Sequence, residues 1–285
     1  MMLPAMVLLA IFSIYPMFGV ILAFEDFNPS KGIWGSPFVG LENFSYMFQI
    51  PEIQQILYNT VFIAVSKIIF TEAAALTFAL LLHELRLRLL KRVIQTVVYL
   101  PHFISWVLLG GIVANIFSLD GIVNTALAAV GAPEAIMFLG SNPWFPGIVI
   151  GTHVWQEFGF GAVIYLAALT GIDPTLYEAA EIDGAGRLRR LTSVTLPGIT
   201  TTIVLLVLLN LQNVLNAGQE QILNLYNPLV YQSGDIIDTY VYRAGLKELQ
   251  FELATAVGLL KSVVSFFFIT VSYFLASKFA NYRIF

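Results

Sequence analysis

At 285 residues, 58% of them hydrophobic and only 11% charged, the chain lies outside the roughly 45–50% apolar range of soluble domains and reads as a membrane protein. Its net charge of −4 excludes a basic nucleic-acid-binding surface, and the absence of cysteine excludes disulfides, thiolate catalysis and cysteine-ligated metals. His83, His102 and His153 are too scattered to suggest a metal cluster.

A bilayer core about 30 Å thick needs about 20 mainly apolar residues per helix, with every backbone group bonded internally. Six segments qualify, at approximately 3–24, 54–82, 93–117, 147–172, 198–217 and 253–279, which predicts an all-α membrane protein of six transmembrane helices in one domain over 1–285. Met1-Met2-Leu3-Pro4 lacks the basic start of a secretory signal, so the first segment reads as a true span, with room for a natural tail ahead of it. Pro16 and Pro101 each remove a backbone donor and are expected to kink or break their helices. Gly110-Gly111, Gly159 with Gly161, and Ala73-Ala74-Ala75 suit close helix packing.

Lysine and arginine set the orientation, because short basic loops stay on the cytoplasmic side. Arg86, Arg88, Lys91 and Arg92 follow the second span, Arg187, Arg189 and Arg190 follow the fourth, and Lys278 and Arg283 close the chain. The opposite loops, around 27–52, 119–146 and 218–252, hold an acidic excess and only Lys31, Arg243 and Lys247. Both termini are therefore expected in the cytoplasm.

Between the fourth and fifth spans, residues 173–197 are densely charged. Asp173-Pro174 reads as an N-cap followed by proline at the first helical position, without the reciprocal Glu or Gln of a capping box. Gly184 and Gly186 permit a sharp bend. Leu188, Leu191 and Val194 then share one face of a second short helix, expected to end at Pro197-Gly198. The product is a helix-turn-helix knuckle with apolar and charged sides, suited to docking.

Glu178-Ala179-Ala180, Gly184, Val194 and Leu196-Pro197 resemble the EAA coupling loop of permease subunits of ATP-binding-cassette (ABC) importers, at every spacing, with Val194 where that family has an Ile-like residue. Phe38-Val39-Gly40-Leu41-Glu42-Asn43-Phe44, Tyr99–Ser105, Thr239–Arg243, Phe251 and Ala254–Gly258 are similar to signatures of sugar permeases, extending the resemblance over nearly the whole chain. Phe24–Pro29 and Leu225–Pro228 resemble the branch handling oligosaccharides or polysaccharide fragments, including alginate-type importers. The resemblance implies a bacterial plasma-membrane permease, with Tyr177, Glu178, Ala179, Ala180, Asp183, Gly184 and Arg187 coupling it to an ATPase in the cytoplasm. It implies as partners a second homologous permease, an ATPase dimer that binds ATP and Mg, and an extracytoplasmic solute-binding protein.

Substrate contacts are sought among polar residues in or near the spans. Asn210, Asn213, Glu220, Gln221 and Asn224 recur close to helical spacing around the end of the fifth span, with Asn216 beside them. Amides both donate and accept, which suits sugar hydroxyls, though they also bond neighbouring helices. Asn210, Asn213 and Asn216 are the leading candidates. Lys67, Glu72, Glu157 and Lys261 must face protein or water, because a charge at the bilayer centre costs about 2.5–3.5 kcal/mol. Lys67 and Glu72, five residues apart, are expected to find partners on other helices. Lys67 or Lys261 could meet an anionic sugar or close an interhelical ion pair, and Glu157 could do either. Trp155, beside Glu157, is the aromatic candidate for stacking on a sugar ring.

Catalytic chemistry is not expected. Gly258-Leu259-Leu260-Lys261-Ser262 lacks the second glycine of an ATP-binding loop, and there is no Gly-x-Ser-x-Gly, no His-Glu-x-x-His and no plausible carboxylate pair. An ion-driven transporter is disfavoured because paired repeats and broken helices are not apparent. A membrane enzyme or scaffold leaves the amide-rich fifth span without a purpose.

Overall fold

The structure, a computed structural model, describes residues 2–279. Arg283 and the side chain of Lys278, used above for orientation, lie outside the described residues. The chain forms α1 (Leu3–Phe24), α2 (Glu42–Gln49), α3 (Pro51–Glu84), α4 (Arg88–Phe103), α5 (Trp106–Ile116), α6 (Ile122–Ala129) and α7 (Phe145–Thr170). There follow α8 (Pro174–Ile182), α9 (Arg187–Leu211), α10 (Gln219–Leu225), α11 (Tyr231–Gly234), α12 (Ile237–Tyr242) and α13 (Phe251–Phe279). The only β pairing among the described residues is a single bridge between Glu25 and Phe38.

Four helices, α1, α3, α9 and α13, are long and apolar enough to cross a membrane. The pairs α4 with α5 and α7 with α8 meet the same criterion only as bent units, giving up to six spans.

The prolines act differently from one another. Pro101 sits in a 3-10 turn, and α4 and α5 diverge there by 104°, so the expected third span is not straight. Pro16 breaks nothing. The turn ahead of it, Ala10–Ile14, widens to π geometry, and the N–H of Tyr15 reaches back five residues to the carbonyl of Ala10. Pro197 is accommodated in the same way by a π turn at Leu191–Thr195, with Leu196 N–H bonded to Leu191 O. A wider turn makes room for the ring that would otherwise strike the carbonyl four residues back. Consequently Pro197-Gly198 does not end a short helix as expected, and α9 runs unbroken from the knuckle to Leu211.

At its far end α9 stops earlier than 217. The chain turns through N–H···O bonds from Asn213 to Asn210 and from Asn216 to Asn213, at 2.9 and 2.8 Å. Gly218, at φ +88°, then reverses it into α10. The expected single amide face is therefore divided among a helix end, a turn and a second helix.

Helices α3 and α7 form the central pair. At one end Ile63 and Ala64 join Ile148 and Val149 in a buried cluster, and at the other Ala75 and Ala79 meet Ala162 and Tyr165. Lipid tails are as apolar as leucine, so close contact rather than water exclusion holds such helices together. Gly159 shows how close: a Cβ there would stand 2.4 Å from the carbonyl oxygen of Val98 on α4.

The α10–α12 excursion is tied down by polar groups. Asn59 on α3 donates to the carbonyls of Gln232 and Asp235, and Thr60 Oγ1 accepts from Ile237 N–H. Arg243 Nη2 meets Asp235 Oδ2 at 2.6 Å while its guanidinium lies 4.4 Å from the centre of the Tyr231 ring.

Candidate functional site: a polar cavity and an exposed knuckle

The knuckle is built by local rules. Asp173 caps α8, its Oδ1 accepting the N–H of Thr175 at 2.9 Å. That backbone hydrogen bond, with the side-chain contact to Thr175, holds the Asp173 carboxyl below the usual carboxylate range. At the other end Ala185 N–H bonds Ala180 O and Gly184 N–H bonds Glu181 O, while Gly184 takes φ +73°. These two crossed bonds are a Schellman motif, which requires the left-handed residue that glycine supplies cheaply.

Glu178, Ala179, Asp183, Gly184 and Arg187 are exposed, Ala180 is partly exposed, and Tyr177 is anchored by its hydroxyl 3.1 Å from Thr195 Oγ1. Glu181 and Arg190 bridge the two arms at 3.5 Å. Ile182 and Leu188 stand 87% and 75% exposed beside these charges. Exposed apolar residues rimmed by charge are a common feature of docking surfaces. Arg187 and Leu188 also border a hollow of about 400 Å³ against Leu80, Leu81, His83 and Glu84 at the end of α3.

A second feature lies between α3, α7 and the end of α9, a cavity of about 490 Å³. Lys67, Glu72, Glu157, Asn210, Asn213 and Asn216 line it together, with Thr71 and His153. Of the sequence candidates, Trp155 and Glu220 lie outside this cavity. Trp155 is two residues from both His153 and Glu157, about 200° around the helix, and so faces an apolar recess with Phe70, Phe78 and Phe158 instead. Glu220 falls beyond the reversal at Gly218, exposed in the first turn of α10.

Each charge has a defined partner. Lys67 Nζ, buried, donates to Ala217 O at 2.6 Å and to Gln221 Oε1 at 2.5 Å, and forms no carboxylate pair. Gln221 passes the bonding on to Val149 O and Thr152 Oγ1 on α7. Glu72 accepts from Asn210 Nδ2 at 2.5 Å and from the hydroxyl of Tyr165, on two other helices as expected. Glu157 Oε2 lies 2.9 Å from His102 Nδ1, and the His102 ring stacks on Phe160. Lys261 forms an ion pair with Asp238 at 2.5 Å, joining α13 to α12.

Sequence reasoning passed over His102, His153 and Thr71 as residues of the cavity or partners of its charges. One signal was available for His153: with Glu157, Phe160, Gly161 and Ile164 it forms a stripe at helical spacing along α7. No cluster of three or more potential metal ligands occurs among the described residues. The cavity walls therefore offer hydrogen-bonding groups of both polarities beside a buried lysine.

Comparison with known proteins identifies the family. Residues 73–281 match the family described as binding-protein-dependent transport system inner membrane component. LplB of Bacillus subtilis (strain 168) is 39% identical over 280 residues, covering 98% of this chain and 88% of LplB. The polygalacturonan/rhamnogalacturonan transport system permease protein YteP of the same organism is 39% identical over 282 residues, covering 99% and 88%. A chain in the crystal structure of a bacterial ABC transporter involved in the import of the acidic polysaccharide alginate superimposes with a TM-score of 0.89 at 34% identity, over 98% of this chain and 94% of that one. A second structure, of a bacterial alginate ABC transporter in complex with an alginate pentasaccharide-bound periplasmic protein, gives 0.89 at 33% identity over 100% and 95%. The chain belongs to the binding-protein-dependent transport system inner membrane components, the permeases that its knuckle sequence resembles.

Proposed function

We propose that the chain is one permease half of an ATP-driven importer, forming with a second, related permease the path for oligosaccharides or polysaccharide fragments. In this reading the bent pairs α4–α5 and α7–α8 each contribute one span, making six, with both termini and the knuckle in the cytoplasm. ATP and Mg are bound by a separate ATPase dimer, and a solute-binding protein delivers the sugar from outside. The acidic polymers named for YteP and for the alginate transporter support fragments of uronate-containing polysaccharides as the substrate class.

One observation carries the mechanism: the exposed knuckle and the polar cavity are joined by a single helix, α9, which begins at Arg187 and ends beside Asn210. ATPase closure on the knuckle would swing α9 and reopen the cavity toward the other side as a rigid-body movement. The test is to purify the chain with its co-expressed neighbours in vesicles and measure ATP hydrolysis with binding protein and a panel of neutral and uronic-acid oligosaccharides. Stimulation by a saccharide-loaded binding protein is the expected result. Uptake that continues without ATP would overturn the reading.

A further inference from the structure

We propose that Glu72 and Asn210 are the groups through which the cavity registers its sugar. They satisfy each other when the cavity is empty, and hydroxyls of the bound saccharide take over their hydrogen bond as α9 moves. The inference rests on the permease reading and deepens it.

Three helices meet at one carboxylate. Tyr165 on α7 is buried and donates to one oxygen of Glu72, while Asn210 on α9 donates to the other at 2.5 Å. Both Glu72 and Asn210 are only partly buried and both line the cavity, whereas Tyr165 does not line it. The Tyr165 bond is thus the fixed one, and the Asn210 bond is the one a ligand can reach.

The chemistry of exchange is balanced. A carboxylate accepts, and an amide both donates and accepts, so two neighbouring hydroxyls can donate to Glu72 and accept from Asn210 without leaving either group unpaired. A carboxylate and an amide that pair with each other in the cavity wall are in this way open to exchange with a polyhydroxylated ligand.

The mechanical link is α9 itself. From Arg187 to Asn210 it extends about 35 Å as one helix, and a displacement of about 1 Å at Asn210 takes an N···O contact out of hydrogen-bond range. A force on the knuckle and a sugar in the cavity therefore act on the same bond from opposite ends.

The chain has no cysteine, so Glu72→Cys combined with Asn210→Cys introduces its only thiols. In the assembled complex, a short bifunctional thiol reagent is expected to join them within the chain when no nucleotide or sugar is present. Trapping with vanadate and ATP in the presence of saccharide-loaded binding protein should lower that yield by at least about fivefold. Equal yields in the two states overturn the proposal. As an independent measure that tolerates impaired assembly of the double variant, Asn210→Ala should raise sugar-free ATP hydrolysis by about fivefold relative to sugar-stimulated hydrolysis, with Asn210→Gln restoring the ratio. An unchanged ratio in Asn210→Ala also overturns it. Failure of the wild-type complex to import any saccharide sinks the permease reading, whereas normal wild-type import with state-independent cross-linking sinks this proposal alone.

Discussion

The ammonium of Lys67 on α3 holds the carbonyl of Ala217 at 2.6 Å and so pins the turn that follows α9. A Cβ on the neighbouring Gly218 would stand 2.9 Å from that nitrogen, and Gly218 itself sits at φ +88°. The turn between α9 and α10 thus depends on a buried lysine and on a residue without a side chain.

Replacing Lys67 with Met removes two hydrogen bonds and leaves Gln221 and the Ala217 carbonyl short of a donor. A buried acceptor left unpaired costs about 1–3 kcal/mol, so a clear loss of thermal stability in detergent is expected, with uptake lost in parallel. Gly218→Ala should also destabilise, by about 1–2 kcal/mol from the left-handed backbone alone. Unchanged melting of both variants would contradict this account of the turn.

Removal of Arg243, whose side chain is only 17% exposed, should be costly. Asp235 is 2% exposed and would be left buried without its counter-ion, an outcome that typically costs about 3–5 kcal/mol. Arg243→Ala is expected to unfold several degrees earlier than Arg243→Ala combined with Asp235→Asn. Equal melting of the single and double variants would show that the pair does not act as a unit.

Glu178→Lys reverses a charge on the exposed face of α8 without touching any buried contact. The complex should still assemble in part and hydrolyse ATP, but substrate-stimulated hydrolysis and uptake should separate. Normal sugar uptake by this variant would count heavily against force transmission through the knuckle.

The N-cap of α8 gives the knuckle a pH dependence. Because the Asp173 carboxyl titrates below its ordinary value in the folded chain, its contribution is complete above the usual carboxylate range and fades as pH falls through the lowered value. Amide exchange across residues 175–183, corrected for its intrinsic pH dependence, should therefore be slow at neutral pH and accelerate in acid. Asp173→Ala should accelerate it at neutral pH already, and Asp173→Asn much less. Exchange rates indifferent to all three conditions would remove the cap from the account.

The knuckle was legible in the chain because everything that shapes it lies within a few residues: a cap at Asp173, proline at the first helical position, a glycine where the backbone must turn left-handed. Spans were legible as lengths of apolar sequence, since the bilayer imposes the length. Their interruptions were not, because proline at 16, 101 and 197 meets the same local rule three times with different outcomes. The backbone widens to a π turn ahead of Pro16 and Pro197, and it breaks at Pro101, where α5 turns away.

The cavity belongs to the tertiary structure. Asn210, Asn213 and Asn216 were visible as an amide cluster, but nothing local distinguishes a side chain facing α3 from one facing lipid, which is why Trp155 and Glu157, two residues apart, point to opposite environments. The contacts that close the site, Lys67 with Ala217, Glu72 with Tyr165 and Asn210, and Glu157 with His102, join residues 55 to 150 positions apart. Local sequence determined which groups were polar enough to require partners. Only the packing of α3, α7 and α9 decided which partners they found, because a hydrogen bond depends on distances that helix positions, not neighbours in the chain, set.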